Sequence, residues 1–267
     1  MSLAGRRVLV TRPTDEAAEL SARLRDRGAE PIEAPTIEIR RVAGDALERL
    51  DAAARDLADG RFAWVVFTSV RAVDAVLGRL AAQGYGPFPS VVRAARAAIG
   101  PATADRLRDA GIEPDLVPEV FTTQGLAEAF PAGRGRVLTP RADVAPDGLE
   151  AALAAKGWDP LRVDAYRTVF PDALPSEAAR ALGSGAVDAI AFTSASTVRG
   201  FVRVTAVPAG AAVVCIGPVT ASACEASGIP VAAVADPHTV DGLVMALERH
   251  FGGSGGKQPR RSGAEPD

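Results

Sequence analysis

Short apolar runs alternate with amphipathic stretches along most of the chain. Runs such as Val8–Val10 and Ala212–Ile216 are almost continuously apolar, which is typical of strands buried on both faces of a sheet. After Thr68 the apolar positions recur at the helical spacing i, i+3, i+4 and i+7, at Val73, Val76, Leu77 and Leu80. A strand followed by a helix therefore repeats. We predict parallel sheets covered by helices on both sides, with about five strands in each half of the chain.

Four segments of the first half return in the same order in the second half. The matching segments are 7–13 and 136–142, 65–73 and 190–198, 97–107 and 214–224, and 118–130 and 235–247. Each half holds about 125 residues, which is a usual size for a domain and too long for a solenoid repeat. We predict an internal duplication that gives two similar doubly wound, flavodoxin-like α/β domains. The repeats alone would divide the chain near residue 131.

The carboxyl ends of the predicted strands are rich in hydroxyl groups. The sequence Phe-Thr-Ser follows a strand in each copy, at Thr68 and Ser69 and again at Thr193 and Ser194. Ligands of open parallel sheets bind at this edge, and the free amides of a helix N-terminus favour anions. The same hydroxyls are good N-caps, so each could serve only its own helix. Recurrence of the pattern at other turns favours binding over capping alone.

An Ile-Gly-Pro turn forms a second hydroxyl-rich strand end in each half. Gly100 and Gly217 allow the backbone to approach a ligand closely, while Thr103 and Thr220 bring a hydroxyl to the helix start. A third pair of Thr-containing turns is 121–126 and 238–243. No phosphate-binding glycine motif follows a strand, so carboxylates on a larger ligand are favoured over a nucleotide phosphate.

The two copies differ at Tyr166. Aligning 28–40 with 157–169 through their Gly and Pro residues puts Ile37 opposite Tyr166. A tyrosine in an alternating strand could simply pack its ring. Its hydroxyl is also the best general-acid candidate, since the chain has no paired histidines and no Cys/His set. Arginines at or just beyond strand ends could bind a substrate carboxylate or be ordinary surface residues. They are Arg12, Arg71, Arg141 and Arg199.

Composition narrows the function classes. The 267 residues are 48% hydrophobic and 24% charged, with a net charge of −3, which is typical of a soluble globular protein and gives no basic field for nucleic acid. The longest apolar run is far shorter than the ~20 residues of a membrane helix, and the N-terminus lacks a signal-peptide pattern. We expect a cytoplasmic protein with no membrane and no nucleic-acid partner.

The few cysteines and histidines indicate no zinc site. Cys215 and Cys224 lie in apolar segments, and we expect free buried thiols, with a disulfide as the alternative. His238 and His250 share no ligand spacing with each other or with a cysteine, so we predict no metal. Residues 252–267 are polar and rich in Gly and Pro, which predicts a disordered tail.

Taken in order, the motifs resemble the uroporphyrinogen-III synthase family. The resemblance covers residue 6 to about residue 250 and depends on an ordered set of segments rather than on any single motif. These segments are VLVTRP, VVFTSVRAV, AIGPATADRLRDAG, PDLVPE, RVLTPRA, DAYRTV, AIAFTSASTVRGFV, CIGPVTASAC and TVDGLVMAL.

The resemblance implies two α/β domains joined by a two-stranded connector, with the active site in the cleft between them. It implies that the first strand–helix unit joins the C-terminal half. One domain is then 1–35 plus 171–251 and the other is 40–164, with connecting strands at 36–39 and 165–170.

The activity implied by the resemblance is that of a cofactor-free, cyclising hydro-lyase. The linear tetrapyrrole hydroxymethylbilane loses water to form an azafulvene cation, which closes to uroporphyrinogen III with ring D inverted through a spiro intermediate. Tyr166 matches the family tyrosine thought to assist departure of the hydroxyl group. The predicted substrate-binding residues are Thr68, Ser69, Arg71, Gly100, Thr103, Arg141, Thr193, Ser194, Ser196, Gly217 and Thr220. We expect a monomer that takes its substrate from solution or directly from the preceding enzyme, hydroxymethylbilane synthase.

Two other function classes fit part of the pattern. A non-catalytic two-domain protein that binds an anionic metabolite would also use duplicated hydroxyl-rich turns, and it would give Tyr166 no special role. An α/β transferase that uses a nucleotide or S-adenosylmethionine would need a glycine motif and an acidic residue that the chain lacks. The family resemblance makes the lyase the favoured hypothesis.

Overall fold

The computed structural model describes residues 3–253, in which strands and helices largely alternate. The strands are β1 (Arg7–Val10), β2 (Glu30–Glu33), β3 (Glu38–Arg41), β4 (Trp64–Phe67), β5 (Ala95–Ala98), β6 (Arg136–Ala142), β7 (Asp159–Val169), β8 (Ala189–Phe192), β9 (Ala212–Cys215) and β10 (Ala233–Val234). The helices are α1 (Thr14–Asp26), α2 (Asp45–Ala58), α3 (Val70–Ala82), α4 (Phe88–Val91), α5 (Pro101–Asp109), α6 (Thr123–Ala129), α7 (Gly148–Ala155), α8 (Ser176–Gly183), α9 (Ala195–Val204), α10 (Pro218–Ala226) and α11 (Val240–Gly253). The predicted tail therefore begins inside α11, and its residues 254–267 lie outside the described residues.

The described chain divides into two compact units. The first unit comprises the residues up to Glu38 and those from Val169 onward, and the second unit is Ile39–Thr168. The sheet of the first unit has the strand order β10-β9-β8-β1-β2, and that of the second has the order β3-β7-β6-β4-β5. Strands from both ends of the chain thus share one sheet. The division near residue 131 that the repeats alone suggested is wrong.

Both sheets are predominantly parallel. In the first unit β1 runs parallel to β2 and β8, and β9 runs parallel to β8 and β10. In the second unit β4 runs parallel to β5 and β6, and β6 runs parallel to β7. Parallel neighbours need a crossover connection, and the intervening helices provide it. The predicted α/β class with two five-stranded sheets is confirmed.

Central strands contribute to a hydrophobic core on each face of their sheet. In β4, Val65 and Phe67 belong to one buried cluster, whereas Val66 between them belongs to another. In β1, Leu9 likewise belongs to a different cluster from its two neighbours. Because helices cover both faces, Val8–Val10 and Val65–Phe67 are fully buried, which explains the continuous apolar runs in the sequence.

The two cysteines are free and fully buried, as predicted. Cys215 ends β9 and Cys224 lies in α10, with their Sγ atoms 3.6 Å apart. The hydrogen bond between the thiols lowers the pKa of Cys224 and raises the pKa of Cys215. The corresponding positions of the second unit are the buried residues Ala98 and Leu107, so the shared fold does not require sulfur there.

None of the helices within residues 3–253 combines the length and the apolar character that a bilayer crossing requires.

Candidate active site

The two Phe-Thr-Ser turns lead directly into α3 and α9. Ser69 Oγ accepts a hydrogen bond from the N–H of Ala72 at 3.2 Å, which makes Ser69 the N-cap of α3. Ser194 Oγ accepts from the N–H of Thr197 at 3.1 Å, and Thr197 Oγ1 accepts from the N–H of Ser194 at 3.3 Å, forming a capping box. Both serines therefore act as helix caps, in addition to any contact they make with a ligand.

Polar and basic residues lie close to these caps. Thr68 and Thr193 directly follow β4 and β8 and are half-buried. Arg71 is in the first turn of α3, and Ser196 is at the equivalent position of α9. Ser196 Oγ accepts a hydrogen bond from Arg199 Nη2 at 3.1 Å, so an arginine lies near the start of both helices. A guanidinium beside a helix N-terminus is well suited to bind a carboxylate.

The Ile-Gly-Pro turns present backbone rather than hydroxyl groups. Gly100 and Gly217 are the N-caps of α5 and α10, and a proline follows each of them at the first helical position. Thr103 and Thr220 are only 4% and 3% exposed. These side chains expose little surface to a ligand at the sheet edge, and binding by their hydroxyls stays a prediction. The groups available at this turn are instead the free amides at the helix start.

Phe121 and His238 lie against these two glycines, and neither was predicted from the sequence. A Cβ atom added to Gly100 would lie 3.1 Å from Phe121 Cβ, and one added to Gly217 would lie 3.5 Å from His238 Cγ. The signal that could have found them is the third repeated turn, in which Phe121 aligns with His238. Phe121 is 49% exposed, so an apolar surface adjoins the Gly100 turn.

The third pair of turns uses its threonines as helix caps. Thr122 Oγ1 accepts from the N–H of Gly125 at 3.0 Å, and Thr239 Oγ1 accepts from the N–H of Gly242 at 3.1 Å. Steric crowding also requires glycine at both positions. A Cβ atom on Gly125 would lie 2.2 Å from a carbonyl oxygen of the preceding loop, and one on Gly242 would lie 1.8 Å from the equivalent oxygen. The repeated Thr-x-x-Gly pattern is thus explained by local structure.

Arg141 is committed to an internal ion pair. Its side chain is 3% exposed, and its Nη1 donates to Glu150 Oε2 at 2.9 Å and to the carbonyl oxygen of Pro146 at 2.8 Å. The aligned residue of the first unit, Arg12, likewise pairs with Glu16, at 3.2 Å. Arg141 also lines a cavity of about 510 Å³ between α6 and α7, which none of the other predicted site residues lines. Because its charge is neutralised within the unit, we do not include Arg141 among the substrate contacts proposed below.

Tyr166 meets the first Phe-Thr-Ser turn. Its ring packs against the buried cluster that includes Val73 of α3, and its hydroxyl donates a hydrogen bond to Ser69 Oγ at 3.2 Å. Two predicted site residues that lie 97 positions apart in the sequence are therefore in contact. The ring packing that the sequence suggested is therefore observed together with a hydrogen bond from the hydroxyl, while the role of Tyr166 as general acid stays a prediction.

The first unit lacks this arrangement. Ile37, which aligns with Tyr166, is buried and offers no hydroxyl. The neighbouring Thr36 Oγ1 instead donates a hydrogen bond to the carbonyl oxygen of Thr197 at 2.8 Å, which links the segment after β2 to α9. Only the second unit therefore has a phenol at its Phe-Thr-Ser turn.

Asp143 binds the backbone of Tyr166 and of Thr168 and was not predicted from the sequence. The N–H of Asp143 donates to the carbonyl oxygen of Tyr166 at 3.1 Å, and its Oδ1 accepts from the N–H of Thr168 at 2.9 Å. No sequence motif marks this aspartate, since its role depends on two residues of another strand.

Within residues 3–253, no group of three or more His, Cys, Asp or Glu side chains is arranged to hold a metal ion.

Comparison with known proteins identifies the family. The family model described as "Uroporphyrinogen-III synthase HemD" matches residues 18–245, which is most of the chain. The chain belongs to the uroporphyrinogen-III synthase family. The family predicted from the ordered motifs is therefore confirmed, and with it the assignment to the cyclising lyases of porphyrin biosynthesis. The family acts on the small molecule hydroxymethylbilane.

Individual uroporphyrinogen-III synthases align along almost their whole length. The protein of that name from Synechococcus elongatus is 35% identical over 262 residues, covering 92% of this chain and 96% of the relative. The one from Chlorobaculum parvum is 27% identical over 246 residues, covering 90% and 96%. A crystal structure of a mutant uroporphyrinogen III synthase from Thermus thermophilus, 24% identical, matches with a TM-score of 0.71 and covers 94% of this chain and 100% of that chain. This structural likeness supports the fold.

Proposed function

We propose that this protein cyclises hydroxymethylbilane to uroporphyrinogen III, with loss of water and inversion of ring D. The observation that carries the proposal is the hydrogen bond from the Tyr166 hydroxyl to Ser69 Oγ, which puts a phenolic proton at a strand-end turn. Membership in a family of cyclising lyases supplies the reaction class.

In the first step Tyr166 acts as general acid toward the hydroxymethyl group of the substrate. Proton transfer from the phenol lets the C–O bond break with water as the leaving group, and the electron pair of the pyrrole nitrogen forms the azafulvene cation. The proton lost when the ring system recovers its aromaticity after closure balances the one that Tyr166 gave. The hydrogen bond to Ser69 fixes the position of the phenolic oxygen before the substrate arrives, and the O–H turns from Ser69 Oγ to the substrate for the proton transfer.

Substrate carboxylates are bound by the strand-end turns of each unit. Free amides at the helix starts supply hydrogen bonds and a favourable dipole, and the hydroxyls of Thr68, Thr193 and Ser196 add further donors. Arg71 lies in the first turn of α3 and Arg199 near the start of α9, where an arginine can pair with a substrate carboxylate. Many modest contacts suit a reaction in which folding of the flexible substrate decides the product isomer.

We also propose the domain bounds 1–35 plus 171–251 and 40–164, with connecting strands at 36–39 and 165–170. The compact units and their sheet orders support this assignment. We further propose that the protein is a monomer and that it works in the cytoplasm. It receives its substrate from solution or from hydroxymethylbilane synthase. Light scattering coupled to gel filtration tests the monomer directly.

The decisive experiment supplies freshly prepared hydroxymethylbilane and separates the oxidised porphyrin products by isomer. We expect type III in large excess over the type I product that forms when no protein is added. Unchanged formation of type I would overturn the proposal and favour a protein that binds an anionic metabolite without chemistry.

A further inference from the structure

We propose that Asp143 is a positioning residue that holds the Tyr166 hydroxyl in place for the reaction. The inference depends on the proposed function, because it gives Asp143 a role only through the phenol of Tyr166. It rests on the hydrogen bonds of Asp143 and on an irregular register between β6 and β7.

The register of β7 slips by one residue just before Tyr166. Arg141 is paired with Asp164, but the next residue, Ala142, is paired with Tyr166, so Ala165 is the extra residue of a β-bulge. Successive side chains of a regular strand point to opposite faces. Here Ala165 belongs to the buried cluster against which Tyr166 packs, so these two successive side chains lie on the same face. The extra residue of the bulge explains this break in the alternation. The bulge therefore decides which face the Tyr166 ring occupies.

Asp143 continues the ladder beyond the end of β6 and keeps this shifted register. Its main-chain N–H binds the carbonyl oxygen of Tyr166, and its carboxylate Oδ1 accepts the N–H of Thr168 at 2.9 Å. The same Oδ1 also accepts the N–H of Val144 at 2.9 Å, which orients the carboxylate. Without the side-chain acceptor, the N–H of Thr168 loses its partner and the strand is freer to return to a regular register. A slip of one residue would turn the side chain of Tyr166 to the other face.

The duplication provides an internal comparison. In the first unit the ladder between the aligned strands β1 and β2 ends at the pair of Val10 with Glu33, before the positions that align with the bulge. The residue that aligns with Asp143 there is Thr14, the first residue of α1, and Ile37 takes the place of Tyr166. The aspartate thus accompanies the tyrosine in the unit that carries it.

The test compares Asp143→Ala, Asp143→Asn and Asp115→Ala in steady-state kinetics with melting temperatures. Asp143→Ala removes the acceptor, and we expect kcat to fall about tenfold or more while KM changes little, since small misplacements of a reacting group are costly. Asp143→Asn keeps an oxygen acceptor and should retain most of kcat. Asp115 Oδ2 accepts the N–H of Arg96 at 2.8 Å, so Asp115→Ala loses a comparable bond away from Tyr166 and should keep kcat.

A double variant and a longer side chain complete the experiment. In a Tyr166→Phe background, Asp143→Ala should slow the reaction no further, because its effect passes through the phenol. Should Asp143→Ala fail to fold, Asp143→Glu, which displaces the acceptor by one methylene, should fold and lower kcat. A full kcat in Asp143→Ala or Asp143→Glu, or additive losses in the double variant, would overturn the positioning role.

The two proposals can fail separately. If the wild-type protein forms no type III product, the proposed function fails. If the wild type is active and Tyr166→Phe is slow while Asp143→Ala keeps its rate, only the role of Asp143 is refuted.

Discussion

The hydroxyl of Tyr166 donates a hydrogen bond to Ser69 Oγ at 3.2 Å, linking β7 to the turn that follows β4. Ser69 Oγ at the same time accepts the N–H of Ala72 and caps α3. One serine hydroxyl therefore stabilises a helix start and orients a phenol. This double use explains why the turn can be both a structural cap and part of a reactive site, and it leads to predictions that separate the two roles.

Replacing Tyr166 by Phe removes the proposed acid and keeps the packed ring. We expect kcat to fall about 100-fold, in the lower range for loss of a general acid, because water must then leave without a proton donor. The free energy of unfolding should fall by only about 1 kcal/mol, the usual worth of one hydrogen bond. Single-turnover kinetics and urea denaturation measure the two quantities. A variant with the wild-type rate would show that the acid is another group.

Ser69→Ala and Ser194→Ala form a matched pair, because both serines cap a helix but only Ser69 contacts Tyr166. Each variant should lose about 1 kcal/mol of stability, as is typical of a lost N-cap. Only Ser69→Ala should lower kcat beyond the effect that Ser194→Ala has, because only it frees the phenol. Equal kcat values for the two variants would mean that the hydrogen bond to Tyr166 has no kinetic role.

Arg141→Ala should act on stability rather than on substrate binding. Its loss leaves Glu150 without its buried partner, and breaking such a pair costs about 3–5 kcal/mol. The aligned Arg12 pairs with the more exposed Glu16, so Arg12→Ala should cost about 1 kcal/mol or less. Chemical denaturation compares them. Wild-type stability combined with a raised KM in Arg141→Ala would instead restore the substrate contact predicted from the sequence.

Gly200→Ala should destabilise the first unit although alanine is the better helix former. The substitution gains about 1 kcal/mol of helix propensity. A Cβ atom on Gly200 would lie 2.0 Å from the backbone oxygen of Thr36, however, and relieving such a contact costs about 3 kcal/mol. The net change is therefore a loss. The aligned position of the second unit is Ala75 in α3, where Ala75→Gly should cost only about 1 kcal/mol. A Gly200→Ala protein as stable as the wild type in thermal melts would contradict this account.

Several features of the fold and site follow from local patterns in the sequence. Continuous apolar runs such as Val8–Val10 reflect burial on both faces of a sheet, and the helical spacing after Thr68 correctly predicts α3. Hydroxyl residues at strand ends were predicted both as caps and as ligands. The structure establishes Ser69 and Ser194 as caps, while their contacts with substrate stay a prediction.

Other features could not be read from the sequence because they depend on residues far apart in the chain. Thr103 and Thr220 look like accessible helix-start hydroxyls in the sequence, yet packing of α5 and α10 buries them. Arg141 looks like a strand-end ligand until the fold brings Glu150 to it. Burial and charge pairing are decided by neighbours that only tertiary packing supplies.

The sequence by itself determined the α/β class, the duplication and the family, and it predicts Tyr166 rather than its apolar counterpart Ile37 as the acid. These depend on periodicity, turn chemistry and the comparison of two copies, all of which are local or internal to the sequence. The tertiary structure alone decided that strands from the two ends of the chain share a sheet and that a bulge at Ala165 turns Tyr166 toward Ser69. The physical reason is that strand order and register are set by hydrogen bonds and side-chain packing between distant segments, which no local pattern encodes.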